Sequence, residues 1–152
     1  MGQPARAPDD VLVHLRRARD LADREYAHDV SLTRLADAAG LSKYHFLRLF
    51  TATYGMTPAD YVSRRRIERA QDLLRATNLT VTEVCHAVGF SSLGSFSSRF
   101  HAIVGETPSA FQGRYAGAGV PRIPGCYVFM WGLAERRETS AMQEKRPDEQ
   151  AS

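Results

Sequence analysis

A segment of about thirty residues occurs twice in this chain, and that duplication restricts the fold more than any other feature of the sequence. Setting residues 31–41 against 80–90 at an offset of 49 pairs Leu32 with Val81, Leu35 with Val84, Ala36 with Cys85 and Gly40 with Gly89. At an offset of 50 the correspondence continues with Phe46 and Phe96, Phe50 and Phe100, Gly55 and Gly105, Thr57 and Thr107, Pro58 and Pro108, and Tyr61 and Phe111. The one-residue slip falls in a turn, where an insertion costs least. Each copy reads as helix, glycine-containing turn, helix, then a helix opened by Thr-Pro, which is the plan of a helix-turn-helix.

Helical punctuation supports that reading. Asp9 or Asp10 can cap a first helix to about Tyr26, with Val11, Leu15, Ala18, Leu21 and Ala22 along one face. Ser31 opens a second helix that Gly40 ends, and Ser42 caps a third that ends at Gly55. Thr57 and Pro58 open a fourth, to about Ala76, whose apolar stripe is Ile67, Ala70, Leu73 and Leu74. No stretch shows the sustained alternation of a half-buried strand. The expected fold class is therefore all-α: about seven helices in two helix-turn-helix subdomains, residues 10–56 and 80–115, joined by a long linker helix over 57–76.

Composition bounds the function classes. A chain of 152 residues, 43% hydrophobic and 24% charged, matches an ordinary soluble domain or two small helical ones. Its net charge of +3 announces no partner, but residues 42–115 carry nine Lys and Arg against five Asp and Glu, while 134–152 carry four against five. The basic excess sits in the duplicated region. Two cysteines, Cys85 and Cys126, form no CxxC and are too few for a disulfide framework, which points to a reducing compartment. The first residues lack an apolar signal core, and no run approaches the roughly 18 apolar residues of a membrane helix, so a cytoplasmic protein with no membrane partner is expected. The five histidines are scattered, and Cys85 and His86 point about 100° apart on a helix, poor geometry for one metal. No nucleophile elbow, metalloprotease, P-loop or dinucleotide fingerprint occurs. No enzymatic activity, metal or cofactor is expected.

The segments GLSKYHFLRLF (40–50), GMTPADYVSRRRIERAQDLL (55–74) and above all VTEVCHAVGFSSLGSFSSRFHAIVGETPSAF (81–111) resemble the DNA-binding domain of the AraC/XylS family of bacterial transcription regulators. The resemblance covers about residues 10–115 and is closest to the small stand-alone members. It implies a double helix-turn-helix DNA-binding domain over 9–116, double-stranded DNA as partner and a cytoplasmic, nucleoid-associated bacterial regulator.

Within that frame Phe46, Leu49 and Phe50, with Phe96, Phe100 and Ile103, recur at helical spacing and are expected in the core. Turning about 100° per residue from Phe46 places Tyr44, Leu47, Arg48 and Thr51 on the opposite face, where a recognition helix meets the major groove. Arg48 suits a bidentate guanine contact, Leu47 a thymine methyl and Tyr44 a base or phosphate; Lys43, with the capping Ser42, sits where a phosphate passes. The corresponding set in the second copy is Ser91, Ser92, Gly94, Ser95, Ser97, Ser98, Arg99 and His101. The family commonly carries arginine at position 98, where this chain has Ser98 followed by Arg99, so readout there is expected through shape and water. Arg99 projects nearer the core and is assigned to a phosphate. Arg64, Arg65 and Arg66 on the linker helix are expected phosphate contacts, set against a solvated face with ion pairs.

Beyond Tyr115 the character changes. Residues 117–133 hold a Gly/Pro-containing linker and the apolar run CYVFMWGL (126–133), and residues 134–152 read as a disordered polar tail. The arm is open to three readings: docking on the core, contact with a partner subunit or RNA polymerase, or a small effector pocket. Its competing functional class is a protein-interaction module, or a fragment of a larger sensor, acting through residues 126–133. A monomer using both copies is the expected DNA-bound state, with a dimer as the alternative.

Overall fold

The helix starts chosen above rest on side chains that satisfy otherwise unpaired backbone N–H groups, and the computed structural model shows those bonds made. It describes residues 9–116; the linker, arm and tail at 117–152, Cys126 included, and residues 1–8 lie outside the described part. The seven helices are α1 (Asp9–Glu25), α2 (Leu32–Ala38), α3 (Lys43–Tyr54), α4 (Pro58–Ala76), α5 (Val81–Ala87), α6 (Leu93–Val104) and α7 (Pro108–Ala116). Ser31, Ser42, Thr57, Thr80 and Ser92 each accept the N–H three residues on, at 3.1–3.3 Å. At α5 the exchange is reciprocal, because the Glu83 carboxylate accepts the Thr80 N–H at 3.0 Å. Gly55 and Gly105 close α3 and α6 in the left-handed conformation, φ 72° and 90°, that glycine adopts without strain. α1 ends one residue before the expected Tyr26.

Two cores form, one per copy. The first joins Leu15, Ala18 and Ala22 of α1, Leu35 and Ala36 of α2, Phe46 and Phe50 of α3, and Val62 of α4. The second joins Ile67, Ala70, Leu73 and Leu74 of α4, Val84 and Cys85 of α5, Phe96 and Phe100 of α6, and Phe111 of α7. The phenylalanine pairs are fully buried, while Leu49 and Ile103 pack partly buried beside them. Edge-on ring contacts repeat as well: Phe50 meets Tyr61 at 5.8 Å between centroids, and Phe100 meets Phe111 at 5.5 Å.

α4 is therefore more than a connector between copies. Its first turns complete the first unit, as α7 completes the second, and its remainder is the opening helix of the second unit. Ile67, Ala70 and Leu74 take the places that Leu15, Ala18 and Ala22 hold in the first core. The duplicated unit is thus four helices long with α4 shared, longer than the stretch over which side chains match in sequence. Helical packing needs apolar residues on one face, not the same residues, so this part of the repeat survives in geometry alone.

Candidate nucleic-acid interface

Because Phe46 and Phe50 point inward, the opposite face of α3 is left outside. Tyr44 is 72% exposed, and the Arg48 guanidinium lies 5.7 Å from the centre of its ring. None of the ion pairs among the described residues involves Arg48, so its donors are open to a ligand. Lys43 and Ser42 are exposed, with the Ser42 hydroxyl oxygen already accepting the His45 N–H. The Thr51 hydroxyl donates to the Leu47 carbonyl at 2.7 Å, and the residue is half-exposed. Leu47 is only half-exposed, because it also lines a cavity of about 120 Å³ with Leu35, Pro58 and Val62. His45 shares the exposed surface and was missed by the projection, which stopped short of its angle.

On α6 the expected bareness is present. Ser91, Ser92, Gly94, Ser95, Ser98 and His101 are exposed and Ser97 is half-buried. The Ser92 hydroxyl accepts the Ser95 N–H and donates to the Ser95 hydroxyl, both at 3.1 Å. Leu93, 44% exposed at the start of α6, is a further large side chain on this surface. It stands where α3 has Lys43. From sequence an apolar residue at a helix start reads as core, which hid it.

Three of the four arginines expected at phosphates have partners within the protein. Arg99 donates to the carboxylate of Asp60 in the first turn of α4. This hydrogen bond is the main reason the Asp60 carboxyl is held below its ordinary pKa. Arg65 is also engaged within the protein, with Nε 2.9 Å from Asp23 Oδ1 and Nη1 donating to Glu68 at 2.6 Å. Arg66 turns inward: Nε donates to the Tyr26 carbonyl at 2.6 Å and Nη2 to the His28 carbonyl at 3.0 Å, with the guanidinium 5.6 Å from the centre of the Phe90 ring. Burial lowers its pKa. These side chains are long enough to reach partners on other elements, and projecting one helix cannot reveal such partners. Arg64 is exposed, in no ion pair of the described residues, and lines a cleft of about 300 Å³ with Asp60, Arg99, Gly55, Ala102 and Ile103. That cleft lies between the end of α3 and the flank of α6.

Asp23 also accepts from the Tyr61 hydroxyl at 2.7 Å; burial, then this bond, pushes the phenol up to about 12. Burial raises the Cys85 thiol. Among the described residues no cluster of three or more His, Cys, Asp and Glu is placed to hold a metal ion, and no helix is long and apolar enough to cross a membrane.

Residues 35–114 match a family model described as a helix-turn-helix domain. Over 83 residues the chain is 37% identical to the HTH-type transcriptional activator AarP of Providencia stuartii, covering 55% of this chain and 62% of that protein. Over 89 residues it is 34% identical to a putative AraC-like transcription regulator of Streptomyces lividans, covering 59% of this chain and 29% of that protein. It thus spans less than two thirds of either relative. Among solved structures it is similar to the DNA-binding domain of AdpA, a global transcriptional factor, in complex with a target DNA, with TM-score 0.65, 26% identity and coverage of 69% of this chain and 95% of that one. An AraC-type DNA-binding-domain protein from Chromobacterium violaceum superposes with TM-score 0.64 at 29% identity, covering 71% of this chain and 96% of that one.

Proposed function

Because this chain belongs to the AraC-type helix-turn-helix family, we propose that it is a sequence-specific DNA-binding transcription regulator that places α3 and α6 in successive major grooves of one duplex. The observation that carries this reading is the pair of exposed helix faces, one on each unit, presented by a single chain around a shared helix. α4 has 19 residues and spans about 28 Å, against about 34 Å between successive major grooves on one side of B-DNA. Each unit adds its own width to that span, so one chain can meet both grooves without a dimer.

The two helices then have different tasks. Arg48, steadied over Tyr44, presents two parallel donors to guanine O6 and N7, while Lys43 meets a phosphate. α6 brings Gly94 and the serines close to the groove, with the Leu93 side chain available to a thymine methyl. Arg64 supplies a phosphate contact from α4. RNA polymerase as a second partner belongs to the arm at 126–133, outside the described residues.

Selection of bound genomic fragments followed by footprinting tests the reading. The expected result is a protected site of about 20 base pairs with two unequal half-elements about one turn apart, bound 1:1. A true palindrome bound 2:1 refutes the monomer. Absence of both motif selection and a steep salt dependence refutes DNA readout and favours the protein-interaction module.

A further inference from the structure

The two units touch each other directly, away from the helix they share. Residues 26–28, in the α1–α2 loop of the first unit, lie against the α5–α6 turn of the second. A Cβ added to Gly89 would stand 2.8 Å from the Ala27 carbonyl oxygen and 2.9 Å from its carbon, so backbone meets backbone there. The corresponding glycine of the first unit, Gly40, shares the positive φ, yet a Cβ there meets nothing within 4 Å. Arg66 ties this seam, donating to the Tyr26 and His28 carbonyls while lying over the Phe90 ring. Elsewhere on α4, Arg99 of the second unit is paired with Asp60, beside the Thr57 cap. Such contacts matter because α4 is held unequally. The second core buries Ile67, Ala70, Leu73 and Leu74 of this helix, whereas the first takes Val62 into its buried cluster with Tyr61 packed beside it and Pro58 buried at the helix start. A unit gripping one end of a helix can pivot unless something else restrains it.

We propose that the seam of Arg66, Gly89, Phe90 and residues 26–28, assisted by the Arg99–Asp60 pair, locks the two units into one rigid reader and so determines which spacing between half-elements is accepted. Arg66 is a positioning residue in this scheme. The inference rests on the DNA-binding reading for its consequence, but the lock is a property of the free protein. Inserting or deleting one base pair between half-elements rotates one relative to the other by about 34° and shifts it by about 3.4 Å, which a rigid reader cannot follow.

The test measures affinity for the selected site and for its versions shortened or lengthened by one base pair, at two salt concentrations, with the 152-residue chain and its Arg66→Met and Arg66→Lys variants. The native chain is expected to lose about tenfold or more with the altered spacings, a penalty comparable to a mismatched base pair. Both variants are expected to bind the native spacing more weakly and to reduce that discrimination to about twofold, with the salt slope unchanged. Lysine cannot rescue, because one ammonium cannot reproduce the planar pair of bonds to two carbonyls. If Arg66→Met weakens all spacings alike and lowers the salt slope by about one, with lysine restoring it, Arg66 is a phosphate contact and the lock is refuted. An unchanged spacing profile refutes it as well.

Should the Arg66 variants fail to fold, Gly89→Ala against Gly40→Ala makes the same comparison, since only the former carries a steric clash across the seam. Without DNA, spin labels at Thr33→Cys and Ser109→Cys, in a Cys126→Ser background with Cys85 buried, report the distance between units. A distribution that is narrow in the parent and broad in Arg66→Met or Gly89→Ala supports the lock, and one equally broad in all refutes it. If the native chain selects no DNA, the functional reading fails while this distance measurement still decides the lock.

Discussion

Replacing Arg48 by alanine separates base readout from every other role an arginine could play on α3. Arg48 is exposed, joins no ion pair of the described residues and touches the protein through the Tyr44 ring, 5.7 Å from its guanidinium. An exposed cation–ring contact contributes about 0.5–1 kcal/mol, and alanine has the better helix propensity, so folding stability should change by less than about 1 kcal/mol. A bidentate guanine contact discriminates by about 1–3 kcal/mol, or roughly 5- to 150-fold in Kd. Arg48→Ala should therefore leave urea unfolding nearly unchanged, weaken the selected site by that factor and erase the preference at one base pair. Ser98→Ala, at the matching position of α6, should cost well under 1 kcal/mol because one hydroxyl in a wet groove is readily replaced by water. Competition titrations against all single-base variants of the site, alongside circular-dichroism unfolding, provide both numbers. Equal weakening of every sequence by Arg48→Ala would make it a phosphate contact, and a larger loss from Ser98→Ala would transfer the main reading role to the second unit.

Other outcomes follow from the packing and the titrating groups. Phe100→Ala empties the centre of the second core, where the ring is fully buried among Phe96, Phe111 and Val84, and should lower unfolding free energy by about 3–5 kcal/mol in urea titrations. Thr80→Ala removes the cap of α5 and half of its reciprocal exchange with Glu83, costing about 0.5–2 kcal/mol by the same assay. Because Asp60 is held below its ordinary pKa by Arg99, the stability it adds is present above the usual carboxylate range and lost as pH falls through its folded-state pKa. The difference in stability between native protein and Asp60→Asn should therefore shrink below about pH 4. Tyr61, pushed up to about 12, should release its proton well above the ordinary tyrosine value of about 10 in an alkaline absorbance titration. The stability tied to it should fall as pH rises from about 10 toward that value, and an early phenolate at Tyr61 would refute the burial and Asp23 hydrogen bond that together hold the phenol neutral.

How much of this molecule is legible in its residues depends on how far along the chain each interaction reaches. Helix starts were readable because a cap is local: Ser42 and Thr80 act on an N–H three residues away, so their presence before an apolar period is nearly the whole signal. The paired phenylalanines were readable because identical packing demands the same large ring twice. Helix geometry likewise predicted the exposed faces of α3 and α6 around a known core direction. What the sequence withheld is where long cations go. Arg66 meets Tyr26 at a separation of 40 residues and Arg99 meets Asp60 at 39, and nothing adjacent to either arginine encodes its partner. The dual use of α4 was equally hidden, because Ile67, Ala70 and Leu74 repeat the face of α1 without repeating its residues. Caps and periodicity establish which residues form helices and which face turns inward. Only the folded arrangement decides that Arg66 binds carbonyls and that Arg65 and Arg99 pair with carboxylates while Arg64 stays open, because a guanidinium on a flexible stem takes the nearest acceptor in space.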